Sequence, residues 1–196
     1  MFPKLILLLV TVSLLIESIA GQSCLVAPPS PNYIPERYGG FWFEIGKIQT
    51  AGGAFFERNC VCTSINVTYV DAKGDALCYQ GCRSKTPEGP LTLVVGNLTS
   101  YPGQPGKFNQ TLKLNPDQIV SYTVVQLSIP DDSEPQYAVE YDCGGSITGV
   151  NYCLHFMSRT PTMDSSTLSM LVEKTNYLNT QNLPLHLTPQ TGCPVM

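Results

Sequence analysis

Cys60-Val-Cys-Thr-Ser-Ile-Asn-Val-Thr-Tyr-Val70, Asp71-Ala-Lys-Gly-Asp75, Ala76-Leu-Cys-Tyr-Gln-Gly-Cys-Arg-Ser84: this stretch reads as strand, tight turn, strand. Val61, Ile65, Val67 and Tyr69 share one phase of a two-residue period, which is the mark of a strand buried on one face. Asp71, Gly74 and Asp75 are turn formers. After the turn, Leu77 and Tyr79 are assigned to the inner face.

The same rhythm continues in both directions. Upstream, Phe41 to Gln49 is a strand, preceded by a proline-rich lead-in over 24–36. Downstream, a strand over about 91–98 is bounded by Pro87-Glu-Gly-Pro90 and Pro102-Gly-Gln-Pro-Gly106. Phe108, Leu112 and Leu114 mark a fifth strand, Asn115-Pro-Asp a turn, and Val120, Tyr122 and Val124 a sixth. After Pro130-Asp-Asp comes a seventh, in which Tyr137, Val139 and Tyr141 alternate with Ala138, Glu140 and Asp142. The eighth covers about Asn151 to Ser158. The period then becomes helical: Asp164 caps a segment over Ser165 to Leu178, with Leu168, Leu171, Val172 and Leu178 on one stripe. Leu183, Leu185 and Leu187 alternate again and suggest a short strand in the tail. The fold class is all-β: an eight-stranded antiparallel up-and-down β-barrel with one C-terminal α-helix, because closing a sheet removes its exposed edges.

The N-terminus has Lys4, an apolar run from Leu5 to Ile16 and small residues at Ser18 and Ala20. That layout predicts a signal peptide over 1–20 and a mature single domain over 21–196. The run would span only about 18 Å as a helix, short of a membrane core. No later stretch is apolar and long enough to cross as a helix. A net charge of −4 gives no basic surface for nucleic acid. Eight cysteines, Cys24, Cys60, Cys62, Cys78, Cys82, Cys143, Cys153 and Cys193, lie beyond the leader. In an oxidising route an even set implies disulfides. A four-thiolate zinc centre from Cys60, Cys62, Cys78 and Cys82 is the alternative; no metal and no cofactor is expected. Asn66, Asn97 and Asn109 head glycosylation sequons. Asn66 and Asn109 fall out of phase with the apolar faces beside them, as glycans require. The expected location is extracellular.

Two blocks resemble the lipocalin family. Tyr38-Gly-Gly40-Phe-Trp42-Phe-Glu-Ile45 is similar to the Gly-x-Trp block that opens its first strand. His155-Phe-Met-Ser-Arg159-Thr-Pro161 is similar to the block that ends its last strand. Tyr137-Ala-Val-Glu-Tyr-Asp-Cys143 and Thr191-Gly-Cys193-Pro resemble the apolipoprotein D-like and bacterial Blc-like branch. The middle Thr-Asp-Tyr motif is absent; Pro130-Asp-Asp-Ser133 stands in its place. The resemblance implies that Gly40, Trp42 and Arg159 form a structural motif, the guanidinium lying over the indole at the closed end of the barrel.

Across the 71–75 turn, Cys62 and Cys82 fall near each other on adjacent strands and are expected to pair. The resemblance suggests Cys60–Cys193 and Cys24–Cys143, which leaves Cys78 for Cys153. Cys143 and Cys153 also flank one hairpin, so Cys143–Cys153 with Cys24–Cys78 remains open.

The expected function is binding and transport of a small hydrophobic ligand (lipid, retinoid, sterol or pigment) inside the barrel. Val67, Tyr69, Tyr79, Phe108, Tyr122, Val139 and Tyr141 are assigned to the lining. The resemblance adds His155 and Met157 as ligand contacts. It also lays the loop Thr50-Ala-Gly-Gly-Ala-Phe-Phe56 over the mouth, where Phe55 and Phe56 form a lid or an anchor for a membrane or partner. A secreted interaction or inhibitor protein working through its loops is the alternative reading, with a lipid-modifying enzyme behind it; a cell-surface receptor as partner would add to the carrier reading rather than replace it. An enzyme is not expected: an even cysteine set leaves no spare nucleophile. Glu44 and Glu140 are read as solvated strand faces.

Overall fold

The computed structural model describes residues 23–128, 136–146 and 149–194. The leader and Pro130-Asp-Asp-Ser133 lie outside them. Eight antiparallel strands run in chain order: β1 Gly40–Gln49, β2 Cys60–Tyr69, β3 Ala76–Ser84, β4 Leu91–Ser100, β5 Lys107–Leu112, β6 Asn115–Leu127, β7 Tyr137–Ser146 and β8 Gly149–Ser158. Each pairs with its sequence neighbour, and β1 pairs with both β2 and β8, so the sheet closes on itself. Helix α1 (Pro35–Tyr38) precedes the barrel. Helix α2 (Ser165–Thr175) follows it and continues as a 3₁₀ turn, Asn176–Leu178. The tail adds β9, His186–Leu187, against Gly46 and Lys47 of β1. Leu114 and Asn115 differ from the expected boundary: β5 ends at Leu112, and Asn115 already belongs to β6.

Irregularities in the strands decide which side chains point inward. A bulge in β1 between Glu44 and Gly46 shifts the phase, so Trp42, Glu44 and then Lys47 are all buried. A second bulge, in β2 between Val61 and Ser64, contains Cys62 at φ 57°.

Two apolar layers result. Inside the barrel, Tyr38, Trp42, Ile65, Val67, Leu98, Phe108, Tyr122 and Met157 form one cluster. Outside it, Ile45, Ile48, Val139, Tyr141, Leu154 and Phe156 pack under Leu168, Leu171 and Leu178 of the helical segment. Asp164 caps α2 by accepting from the Thr167 amide at 2.8 Å. Val139 and Tyr141 are therefore not cavity residues, as the alternation on β7 suggested. Their apolar face is covered by the helix, while Ala138, Glu140 and Asp142 turn inward.

Tyr79 is likewise corrected. It lies directly opposite Asn66, and Cys78 opposite Val67. Opposed residues share a face, so Ala76, Cys78 and Gln80 are the inward set of β3 and Tyr79 is outside, 36% exposed. Asn66 and Asn97 are exposed and Asn109 half-exposed, with the sugar-acceptor side chains on the outer face.

The bridges are Cys24–Cys143, Cys60–Cys82 and Cys62–Cys193. The expected Cys62–Cys82 and Cys60–Cys193 pairs exchange partners, because the β2 bulge turns Cys62 away from the phase that Asn66 sets. Cys78 and Cys153 are buried free thiols and form no bridge with each other.

Candidate ligand-binding site

The interior divides into three levels. At the closed end, the Arg159 guanidinium lies 3.6 Å from the centroid of the Trp42 ring. It donates to the carbonyls of Phe41, Arg37 and Gly39 at 2.5, 2.7 and 2.6 Å. The Trp42 indole donates to the Tyr38 carbonyl at 2.7 Å. Gly40 has φ 89°, a left-handed backbone suited to glycine. Above this plug, the Tyr38 hydroxyl donates to Glu140 and is hydrogen-bonded to the Tyr122 hydroxyl. Val67, Phe108, Tyr122 and Met157 fill the space around them. Tyr69 packs at the edge, its hydroxyl against that of Tyr33. These residues solidify the closed half and do not line the cavity.

The middle level is ionic. Glu44 receives a 2.6 Å hydrogen bond from His155 Nδ1 and one of 2.5 Å from the Thr188 hydroxyl. Lys47 Nζ lies 3.2 Å from Glu44 and 2.5 Å from Glu57. Gln80 donates to Glu57 at 2.6 Å, and His155 Nε2 lies 3.7 Å from Asp142. Glu44, Glu140 and His155 are fully buried; the two carboxylates are not solvated strand faces.

Burial pushes the Glu44 carboxyl up, but Lys47 and His155 outweigh it and hold the group at about 2. Burial and the Glu44 charge push Glu57 to about 7. Burial, with Glu140 adding, pushes Asp142 to about 8 against His155. For His155 the burial effect runs downward, yet Cys153 and the surrounding carboxylates raise it well above the usual range.

Glu44, Glu57 and His155 bring ligand atoms within 4.8 Å of one another, close enough for a metal ion. Lys47 already sits against both carboxylates and neutralises them, so the protein supplies the cation itself. Cys153, His155 and Glu44 also suggest a nucleophile, base and orienting acid. However, burial pushes the Cys153 thiol to about 11, the opposite of the activation such chemistry requires.

The mouth level holds a cavity of about 100 Å³. Phe55 and Phe56, on the loop after β1, cover it with Gly52 and Gly53. Leu112 and Val120 form apolar walls, and Gln80, Gln110, Asp142 and Cys153 reach it from below. The two phenylalanine rings meet edge to face at 5.7 Å. Of the expected lining, this cavity gathers Phe55 and Phe56 but not Val67, Tyr69, Phe108, Tyr122, His155 or Met157. Its polar floor was missed. The pairing of Asn66 with Tyr79 carries the signal for Gln80, since a residue beside an outward one points in.

No family model and no curated protein matches the chain. Solved structures do. Insecticyanin from the tobacco hornworm Manduca sexta superposes with a TM-score of 0.60 at 17% identity, covering 86% of each chain. Lobster apocrustacyanin A1 gives 0.61 at 15% identity, covering 89% of this chain and 92% of its own. Apocrustacyanin C1 gives 0.60 at 15% with the same coverage. The shared architecture is the lipocalin barrel; at these identities the likeness is one of fold.

Proposed function

We propose that the protein is a secreted carrier that binds a small ligand in the mouth half of its barrel, with the ligand's apolar body against Phe56, Leu112 and Val120. One observation carries this reading: a closed barrel is solid at the Trp42 end and hollow beneath a glycine-containing loop at the other. Lipocalin barrels as a class accommodate small hydrophobic molecules, and eight strands leave room for one such guest. The three bridges, the N-terminal leader pattern and the outward sequons support an extracellular setting. Phe55 is 55% exposed and offers a contact for a receptor at the same rim. Binding is favoured over cysteine chemistry, since burial keeps the one thiol at the cavity protonated.

A compact ligand suits the closed loop; a retinoid or sterol requires the Gly52–Phe56 segment to swing aside. The test is native mass spectrometry of secreted protein with extraction of co-purifying molecules, followed by fluorescence displacement with retinoids, sterols, fatty acids and small aromatics. Binding is expected, and Phe55→Ser with Phe56→Ser should speed release while the fold stays intact. No binder of any class, with none co-purifying, would overturn the reading.

A further inference from the structure

We infer that the ligand of the mouth cavity carries an ammonium group, received by Asp142 and Gln110. This rests on the carrier reading above and narrows its ligand class. The interior holds three buried acids, Glu44, Glu57 and Glu140, and a half-buried fourth, Asp142, against two buried bases, Lys47 and His155, among the described residues.

Lys47 is fully engaged, and His155 is engaged through Nδ1 only, its Nε2 facing Asp142 without a hydrogen bond. Lys47 lies between Glu44 and Glu57, and His155 hydrogen-bonds Glu44 at 2.6 Å while staying 3.7 Å from Asp142. Glu140 accepts from Tyr38 through Oε1 and keeps an unpartnered Oε2, but it lies away from the cavity. Asp142 is left over: its Oδ1 is buried with no hydrogen-bond partner, and it is the acid of the four that lines the cavity. Burial holds it at about 8, so it keeps its proton at neutral pH until an ammonium group arrives, displaces that proton and pairs with the carboxylate.

A second observation is independent of charge. Gln110 is only 4% exposed, lines the same cavity, and its side-chain amide makes no hydrogen bond. Its amide is open to the cavity rather than sealed in the wall, so its carbonyl is free to accept from a ligand N–H. A charged donor between Asp142 and Gln110 completes both groups. The edge-to-face Phe55 and Phe56 pair caps the opposite side, where a compact aromatic or aliphatic body packs. An anionic ligand would instead bring a second acid against Asp142, with no base among the cavity's lining residues to meet it.

The experiment is calorimetric titration of the secreted protein at one neutral pH with phenethylamine, phenethyl alcohol and phenylpropionate, which share a body and differ in head group. The amine is expected to bind about tenfold or more tightly than the alcohol, the scale of one charge-assisted hydrogen bond, and the propionate more weakly than either. Asp142→Asn should abolish the amine's advantage and leave the alcohol's affinity nearly unchanged. Gln110→Leu should weaken the amine as well. The wild-type comparison stands even if a variant misfolds. If the alcohol or a neutral lipid binds and the amine has no advantage, the inference is overturned while the carrier reading stands. If nothing binds, including the wider lipid panel, both fall.

Discussion

Glu44 on β1 and His155 on β8 share a 2.6 Å hydrogen bond in a region of the barrel that neither solvent nor the cavity reaches. This pair ties the two strands whose pairing closes the sheet. The acids packed around it govern how stability responds to pH.

Stability should fall as pH rises above neutral. Asp142 is held at about 8 and Glu57 at about 7, above the roughly 3.9 and 4.3 of unfolded chains. The folded protein therefore keeps protons that the unfolded chain has lost, and stability declines with rising pH from about 4 through those folded values. His155, raised by its carboxylate and thiol neighbours, works in the same direction above about 6.5. Glu44, held at about 2, contributes in the opposite sense and loses its contribution below about 4.3. Urea midpoints should peak at mildly acidic pH and drop toward pH 9, and Asp142→Asn should flatten the alkaline side. A midpoint that climbs from pH 6 to 9 would contradict the assigned burial.

Arg159→Ala should destabilise the barrel by about 2–3 kcal/mol, combining a partly buried cation–π contact with hydrogen bonds to carbonyls. Arg159→Lys should recover only part of this, since an ammonium cannot donate in a fork to Phe41, Arg37 and Gly39. Equilibrium denaturation measures both. Ligand affinity should be nearly untouched, because the plug and the cavity lie at opposite ends.

Thiol counting under denaturing, non-reducing conditions should find two free cysteines, Cys78 and Cys153, rather than none. In the native state both should react slowly with iodoacetamide, since burial raises both thiols. Cys153 borders the cavity and should be alkylated before Cys78. Peptide mapping over time gives the order, and the reverse order would place the access route elsewhere.

Removing the tail bridge by Cys193→Ser with Cys62→Ser should cost about 2–5 kcal/mol, because it releases a loop of well over a hundred residues. It should also loosen the segment that carries Thr188 onto Glu44 and Gln190 onto the carbonyls of Glu44 and Thr63. Limited proteolysis should then cut near residues 180–190 first. Unchanged protection of that segment would mean that β9 alone holds it.

The barrel was legible in the sequence because each turn is announced by Gly, Pro, Asp or Asn, and because Trp42 and Arg159 bracket the strands. The interior was less so. On β7, Tyr137, Val139 and Tyr141 form an apolar face, but that face lies under α2, and the inward residues are Ala138, Glu140 and Asp142. Where both faces of a strand are covered, alternation reveals two environments without saying which is the inside. The bulges at Glu44/Gly46 and Val61/Ser64 are a second cause, since one extra residue reverses the phase beyond it. That is why Lys47 joins Glu44 inside and why Cys60 and Cys62 exchange their expected partners.

Trp42 is the chain's single tryptophan, fixed beneath a guanidinium at the far end from the cavity. Its emission is therefore a built-in gauge of the sealed base and is nearly blind to a guest arriving at the rim. A titration that watches the indole alone would score a true binder as silent. Tyr152, which borders the cavity, is the native chromophore placed to register occupancy, and a tryptophan introduced at Phe56 would turn the rim itself into the reporter.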